Sequence, residues 1–78
     1  MQQRDPIYRI GIEIGGAKLQ AALGDTSGRV LFRQRETVRP QAGGAAIRQA
    51  LPPLLDRLLA EGQVAWQDVA AIGIGFGG

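Results

Sequence analysis

The spacing of apolar residues changes once along this chain, and that change restricts the fold more than any other feature. From residue 7 to residue 38, apolar side chains tend to occupy every second position, which is the period of a β-strand. Between Ala45 and Leu59 they recur every three or four residues, the period of an α-helix. An almost wholly apolar run follows at Val69–Phe76, as expected of a strand covered on both faces. These patterns predict an α/β unit.

Three strands are predicted before the helix, at Ile7–Ile14, Lys18–Leu23 and Arg29–Val38. The loops between them are short and contain glycines, so neighbouring strands should pair in an antiparallel meander. A helix placed before the fourth strand brings that strand in parallel to an earlier one. The predicted architecture is therefore a three-stranded antiparallel meander, a crossover helix and a fourth parallel strand.

Two prolines interrupt the helical pattern. Pro52 and Pro53 fall on its polar side, where an interior proline costs about 3 kcal/mol through a lost hydrogen bond and a clash with the preceding turn. Either one helix bends around the core at this point, or a second helix begins with Pro52 in its first turn. Gly62 is the predicted end of the helix.

Composition excludes several classes of function. The 78 residues include no cysteine and no histidine, which rules out a disulfide framework, a zinc knuckle, a thiol nucleophile and a histidine acid–base pair. The net charge of +2 is too even for a nucleic-acid-binding module, so no nucleic-acid partner is expected. Alternating Arg33 and Arg35 on the third strand are attributed to a solvated strand face that resists edge pairing.

The terminal segments and the length of the chain suggest a cytoplasmic protein. Residues 1–6 are polar and end in proline, so they are expected to be a disordered lead-in without a secretory signal. The longest apolar run is shorter than the roughly 20 residues that cross a bilayer, and no membrane partner is expected. A core of this size supplies only a few kcal/mol. The chain should therefore form a homo-oligomer or be the opening segment of a longer polypeptide, and we favour an incomplete domain over 7–78.

One short stretch carries a candidate chemistry. Glu13 lies near the end of the first strand, Gly15 and Gly16 follow, and Lys18 begins the next strand. A glycine turn exposes backbone N–H groups that can hold phosphate oxygens, and a nearby carboxylate can hold Mg²⁺. The alternative is an ordinary glycine hairpin with a solvated Glu and Lys, which the spacing alone favours. A P-loop is rejected because Ala17 stands where that motif requires lysine.

Three segments together resemble a known family. The stretch from Ile10 to Asp25, the turn from Ser27 to Leu31 and the glycine-rich end from Ala71 to Gly78 look like the N-terminal part of a ROK protein. That family comprises bacterial sugar kinases, glucokinase-like enzymes and related repressors. The resemblance implies that the chain is the first part of an RNase H-like or actin-like ATPase domain.

The resemblance also implies roles for individual residues. Glu13 would lie beside the Mg²⁺ of ATP, in place of the usual Asp, while Gly77 and Gly78 would lie on the sugar side of the cleft. Ala17 replaces a threonine and removes a hydroxyl donor, which should weaken phosphate binding rather than abolish it. The implied phosphate-binding residues are Gly15, Gly16, Ala17 and Lys18.

The function implied by the resemblance is an ATP-dependent sugar kinase that transfers the γ-phosphoryl group to a hexose or an N-acetylhexosamine. Its cofactors would be ATP and Mg²⁺, and its partners a nucleotide and a sugar. The family's catalytic Asp and downstream sugar-binding segment lie beyond the second glycine motif, so these 78 residues alone are expected to be inactive. The alternatives are an RNase H-like metal-dependent nuclease and a ROK-type regulatory protein without catalysis.

Overall fold

The computed structural model describes residues 7–39 and 43–76 and shows a four-stranded mixed sheet with one helix. Its elements are β1 (Tyr8–Ile14), β2 (Lys18–Asp25), β3 (Val30–Thr37), α1 (Gly43–Gly62), a short 3₁₀ turn (Trp66–Asp68) and β4 (Val69–Phe76). The strand order is β3-β2-β1-β4, with β4 parallel to β1 and the other pairs antiparallel. The predicted meander, crossover helix and parallel fourth strand are confirmed. Residues 1–6, predicted as a lead-in, lie outside the described residues.

The core forms between α1 and one face of the sheet, which we call the helix face. Alternation along β1 and β2 places Ile10, Ile12, Leu19, Ala21 and Leu23 on this face, and none of them is more than 4% exposed. The helix contributes the leucines at i, i+1, i+4 and i+5, namely Leu54, Leu55, Leu58 and Leu59. The apolar residues of the strands and those of the helix therefore form one core.

The opposite face of the sheet, which we call the open face, carries small and polar residues. The register aligns Gly11 of β1 with Ala22 of β2 and with Gly73 of β4. One row nearer the β1–β2 turn, Glu13 is flanked by Gln20 on one side and Gly75 on the other. No described element packs on this face, so it is left accessible, with a floor of small residues in its middle and charged side chains such as Arg33 and Arg35 towards β3.

One continuous helix spans both prolines. α1 runs from Gly43 to Gly62 with Pro52 and Pro53 inside it, so a new helix does not begin at Pro52. Both prolines are exposed, and so are Arg48 and Gln49, whose carbonyl oxygens lose their usual intrahelical donors four residues later. Water can hydrate these carbonyls, which makes the interruption tolerable. No helix within the described residues is long and apolar enough to cross a membrane.

The end of α1 shows why Gly62 is a glycine. The prediction that the helix ends at Gly62 is confirmed, but the left-handed residue that terminates it is Gln63, with φ of 56°. A Cβ on Gly62 would lie 2.7 Å from Cδ2 of Leu23 and 3.2 Å from Cδ2 of Phe32. Gly62 is thus needed for the close approach of the helix to the sheet, and not for its φ.

Asp25 organises the turn between β2 and β3. Its Oδ1 accepts hydrogen bonds from the Ser27 amide (2.9 Å), the Ser27 hydroxyl (2.6 Å) and the Arg29 amide (3.1 Å). Gly28 adopts a φ of 92° in this turn, as its position in the predicted loop suggested. The Ser27 hydroxyl, followed by the Arg29 amide, holds the pKa of Asp25 below its ordinary value.

Substitutions at the end of α1 should separate packing from backbone conformation. Gly62→Ala should lower the free energy of unfolding by about 1 kcal/mol, because crowding of the buried Leu23 outweighs the better helix propensity of alanine. Gln63→Gly should raise it by about 1 kcal/mol, since glycine takes a positive φ without strain. Urea denaturation measures both, and stabilisation by Gly62→Ala would contradict the packing argument.

The charge of Asp25 should make the stability of the turn depend on pH. Because the folded-state pKa is lowered, the stabilisation is fully present above the ordinary pKa of about 3.9 and is lost as the pH falls through the lowered value. Asp25→Asn should therefore lower the melting temperature at pH 7, with a difference that shrinks below about pH 4. Asp56→Asn, which removes an exposed carboxylate from α1, is the control and should show no such convergence.

Candidate functional site in the turn between β1 and β2

The site is formed by the turn that joins β1 to β2. Ile14 pairs with Leu19 across the two strands, which leaves four residues in the connection. The Gly15 amide donates to the Lys18 carbonyl oxygen at 2.9 Å. The Val38 amide, just beyond β3, donates to the Ala17 carbonyl oxygen at 2.9 Å. The turn is therefore held from both sides by backbone hydrogen bonds and does not depend on its own side chains.

The two glycines of this turn are not required by the backbone. Neither has a positive φ, and a Cβ would meet nothing within 4 Å at Gly16 and only an ordinary contact of 3.7 Å at Gly15. The amides of Gly16 and Ala17 make no hydrogen bond to any part of the chain that the structure describes. Gly16 and Ala17 are both exposed, so these two consecutive backbone donors lie in the surface part of the turn.

A shallow cavity of about 300 Å³ lies over this turn, and its wall contains the residues singled out in the sequence. Both charged side chains, Glu13 and Lys18, are exposed to it. The structure therefore brings together Glu13, Gly15, Gly16, Ala17 and Lys18, whereas Gly77 and Gly78 lie outside the described residues. The volume of this cavity is at the lower end of the range for ligand sites, which is about 300–1,000 Å³.

Sequence analysis missed one residue of the cavity, Gln20. Its side-chain oxygen accepts a hydrogen bond of 2.8 Å from Nε of Arg35 on β3. That bond uses the oxygen, so the N–H groups of the Gln20 amide remain as donors in a residue that lines the cavity. The feature that identifies Gln20 is its position directly opposite Glu13 across the two strands. That pairing depends on the register of the hairpin, which the pattern of a single sequence does not determine.

A second cavity continues from the first across the open face. It has a volume of about 440 Å³ and shares Glu13 and Gln20 with the cavity over the turn. Its floor is formed by Gly11, Gly73 and Gly75, where an added Cβ would meet nothing within 4 Å. A ligand group larger than a phosphate could therefore extend from the turn along the sheet.

The metal-binding capacity of the site rests on one carboxylate. Among the described residues there is no group of three His, Cys, Asp or Glu side chains that could hold a metal ion. An all-protein cage therefore does not fit the residues seen here. Mg²⁺ commonly uses one or two carboxylates together with phosphate oxygens and water, and a single exposed Glu13 fits that arrangement.

Comparison with known proteins gives a fold but no family. No family model and no curated protein matches this chain. Among solved structures, a protein described as a reductive activator for a corrinoid, iron-sulfur protein matches over 95% of this chain, with a TM-score of 0.79 and 18% identity. This chain corresponds to 15% of the length of that protein. At such low identity the match shows a shared fold.

This comparison corrects the family and the function predicted from the sequence. The chain is not shown to be a ROK protein: no family model matches, and the solved structure that it resembles is a reductive activator. The predicted glucokinase-like sugar kinase is wrong on the same finding, and the nuclease and regulator alternatives offered with it gain no support. The error came from short glycine motifs, which specify turns and strand ends rather than a particular reaction.

The contact between Arg35 and Gln20 should fix the orientation of the Gln20 amide. Arg35→Lys keeps the charge but removes the Nε donor, so the Gln20 side-chain NH₂ resonances should shift and broaden as the amide gains freedom. Both residues lie at the surface, and the free energy of unfolding should change by less than about 0.5 kcal/mol. Arg33→Lys, two residues away on β3, is the matched control, and equal effects from both variants would contradict the assignment.

Proposed function

We propose that the turn between β1 and β2 binds the phosphate groups of a nucleoside triphosphate, ATP being the ligand of first choice. The observation that carries this proposal is the pair of unused backbone amides at Gly16 and Ala17 in a turn whose glycines meet no local steric need. Successive backbone N–H groups in a turn form concave sites for anions, and phosphate oxygens are acceptors without donors of their own.

The side chains around the turn suit an anionic ligand. Lys18 begins β2 and lines the cavity. Because its side chain is exposed, its ammonium group can approach a phosphate without the free-energy cost of desolvation. Gln20 adds amide donors whose orientation is set by Arg35. Together these groups offer two backbone amides, one positive charge and one side-chain amide to the same 300 Å³ cavity.

Glu13 would bind the Mg²⁺ that accompanies a nucleoside triphosphate, and the ion would neutralise phosphate charge when bound. The carboxylate would hold it directly or through water, which is how Mg²⁺ is commonly held in phosphate sites. Without the ion, Glu13 repels phosphate from the same cavity. The affinity for the triphosphate should therefore be higher with Mg²⁺ than without it.

At the level of the fold, we infer that this α/β unit is the first part of an RNase H-like or actin-like ATPase domain. The strand order β3-β2-β1-β4 with one crossover helix supports this. The opposite wall of such a cleft would lie outside these residues. Gly77 and Gly78 lie outside the described residues, and a role for them in substrate binding is kept as part of this proposal.

The redox part of the matched protein's description is not carried over to this chain. That match, at 18% identity and over 15% of the other protein's length, supports a shared fold alone. The open turn and the glycine floor are features of this chain's own structure. The proposed function therefore rests on the geometry of the turn.

Titration of the ¹⁵N-labelled chain with Mg²⁺ and ATP, followed by amide resonances, tests the proposal. The largest shifts should occur at Gly16, Ala17 and Lys18, and inorganic tripolyphosphate should reproduce them while adenosine does not. Lys18→Ala should raise the dissociation constant about three- to tenfold, the effect of losing one exposed charged contact. Arg33→Ala removes the same charge outside this cavity and should have a much smaller effect. Absence of shifts at the turn at millimolar ATP would contradict the proposal.

A hydroxyl group introduced at position 17 should strengthen binding. Ala17→Thr adds a donor at the rim of the cavity, and a neutral hydrogen bond contributes about 0.5–1.5 kcal/mol, so the dissociation constant should fall about two- to tenfold. Ala17→Val has nearly the same shape without the hydroxyl and is the control. If both variants change the affinity equally, the hydroxyl is not responsible and this assignment of Ala17 fails.

A further inference from the structure

Three polar side chains lie in one row across the open face, beside the proposed phosphate site. The register pairs Glu13 of β1 with Gln20 of β2, and Gln20 with Arg35 of β3. Side chains directly opposite each other on neighbouring strands have Cβ atoms about 4.5–5.5 Å apart. Gln20 can therefore reach either neighbour, and its choice decides whether the Glu13 carboxylate stays accessible.

The contact that the structure shows is the one with Arg35. Nε of Arg35 donates to the side-chain oxygen of Gln20 at 2.8 Å. The carboxylate of Glu13 is exposed and makes no hydrogen bond or ion pair with any residue in 7–39 or 43–76. The oxygen of the Gln20 amide is thus held towards β3, and the carboxylate on β1 is left without a partner in the described chain.

Gln20 and Glu13 are chemically suited to bond each other if Arg35 is absent. A primary amide offers N–H donors, and an ionised carboxylate only accepts. A hydrogen bond to a charged acceptor is roughly twice as strong as one between neutral groups. Such a bond would occupy both the carboxylate proposed to hold Mg²⁺ and an amide donor proposed to face phosphate.

We propose that Arg35 is a positioning residue, which keeps the Gln20 amide from bonding Glu13 and so leaves the carboxylate open to Mg²⁺. This inference rests on the proposed function and adds to it a residue that does not line the cavity over the turn. Arginine suits this role because its guanidinium stays charged and presents its N–H donors in a fixed geometry. Arg35 acts through Gln20 and not by contact with the ligand.

Arg33 provides a matched comparison on the same strand. It is exposed on the same face as Arg35, but its register partner is Ala22, whose side chain has no polar atom. Loss of the Arg33 charge therefore changes the electrostatic field over the sheet without releasing a neighbouring amide. The difference between equivalent substitutions at the two positions measures the contribution that passes through Gln20.

The first readout is the Mg²⁺ concentration that gives half-maximal binding of ATP, followed by the turn amide resonances at fixed ATP. Arg35→Met, which has neither the charge nor the donor, should raise that concentration about three- to tenfold, the effect of one competing hydrogen bond. Arg33→Met should change it less than about twofold. In a Gln20→Ala background, Arg35→Met should also change it less than about twofold, because no amide is left to compete.

The second readout needs no ligand. Nuclear Overhauser effects between the side-chain NH₂ protons of Gln20 and the γ protons of Glu13 should be weak in the parent chain and strong in Arg35→Met. Arg35→Lys keeps the charge without the Nε donor, and it should strengthen the same effects. It also replaces Arg35→Met if the neutral side chain makes the β3 edge self-associate.

A rise in the Mg²⁺ requirement that is specific to Arg35 and disappears without Gln20 supports the assignment. Equal effects of Arg35→Met and Arg33→Met overturn it, because charge alone then explains them, and so does an effect that persists in the Gln20→Ala background. If the parent chain binds no ATP, the proposed function fails, and the Overhauser effects still decide whether Arg35 keeps the Gln20 amide from Glu13. Overhauser effects that stay weak in both Arg35 variants overturn the inference.

Discussion

The packing of α1 against the sheet, mainly on β2 and β3 with its leucines reaching β1, is the interaction on which the rest of this molecule depends. Leu54 and Leu58 are fully buried against Ile10, Leu19 and Leu23, and burial of one such side chain is worth about 1.5–3 kcal/mol before the entropy of ordering the chain is subtracted. No buried polar or charged residue interrupts this core in the described part of the chain. A unit this small has few other sources of stability, so the placement of one helix decides which surfaces are covered and which are not.

Because of that placement, the side chains of the proposed phosphate site take no part in the hydrophobic core. The turn between β1 and β2 is anchored by backbone hydrogen bonds from Gly15 and Val38, and the core ends just before it, at Ile14 and Leu19. The side chains of the turn itself can therefore vary without disturbing the core. In α/β sheets, ligands commonly bind beyond the carboxyl ends of parallel strands, and β1 and β4 are the parallel pair here. Glu13 lies at that end of β1.

The sequence predicted the elements well because each has a strong local signal. Alternation of isoleucines and leucines defined β1 and β2, and the spacing of the leucines from Leu51 to Leu59 defined the helix to within a few residues at each end. What it missed depends on contacts between distant segments. The role of Gly62 follows from the approach of Leu23, and the role of Gln20 from Arg35 on another strand. The family resemblance failed for a related reason, since glycine turns are shared by folds with unrelated chemistry.

β4 differs from the other strands in how far along the chain its partner lies. β1, β2, β3 and α1 are each adjacent in the chain to the element they pack on, so their contacts close short loops. β4 pairs with β1 across about sixty residues, Ile74 with Ile12 for example, so this pairing closes a much longer loop. Because its contacts join residues far apart in the sequence, the pairing of β4 with β1 contributes most to the contact order of this sheet, a property that slows folding.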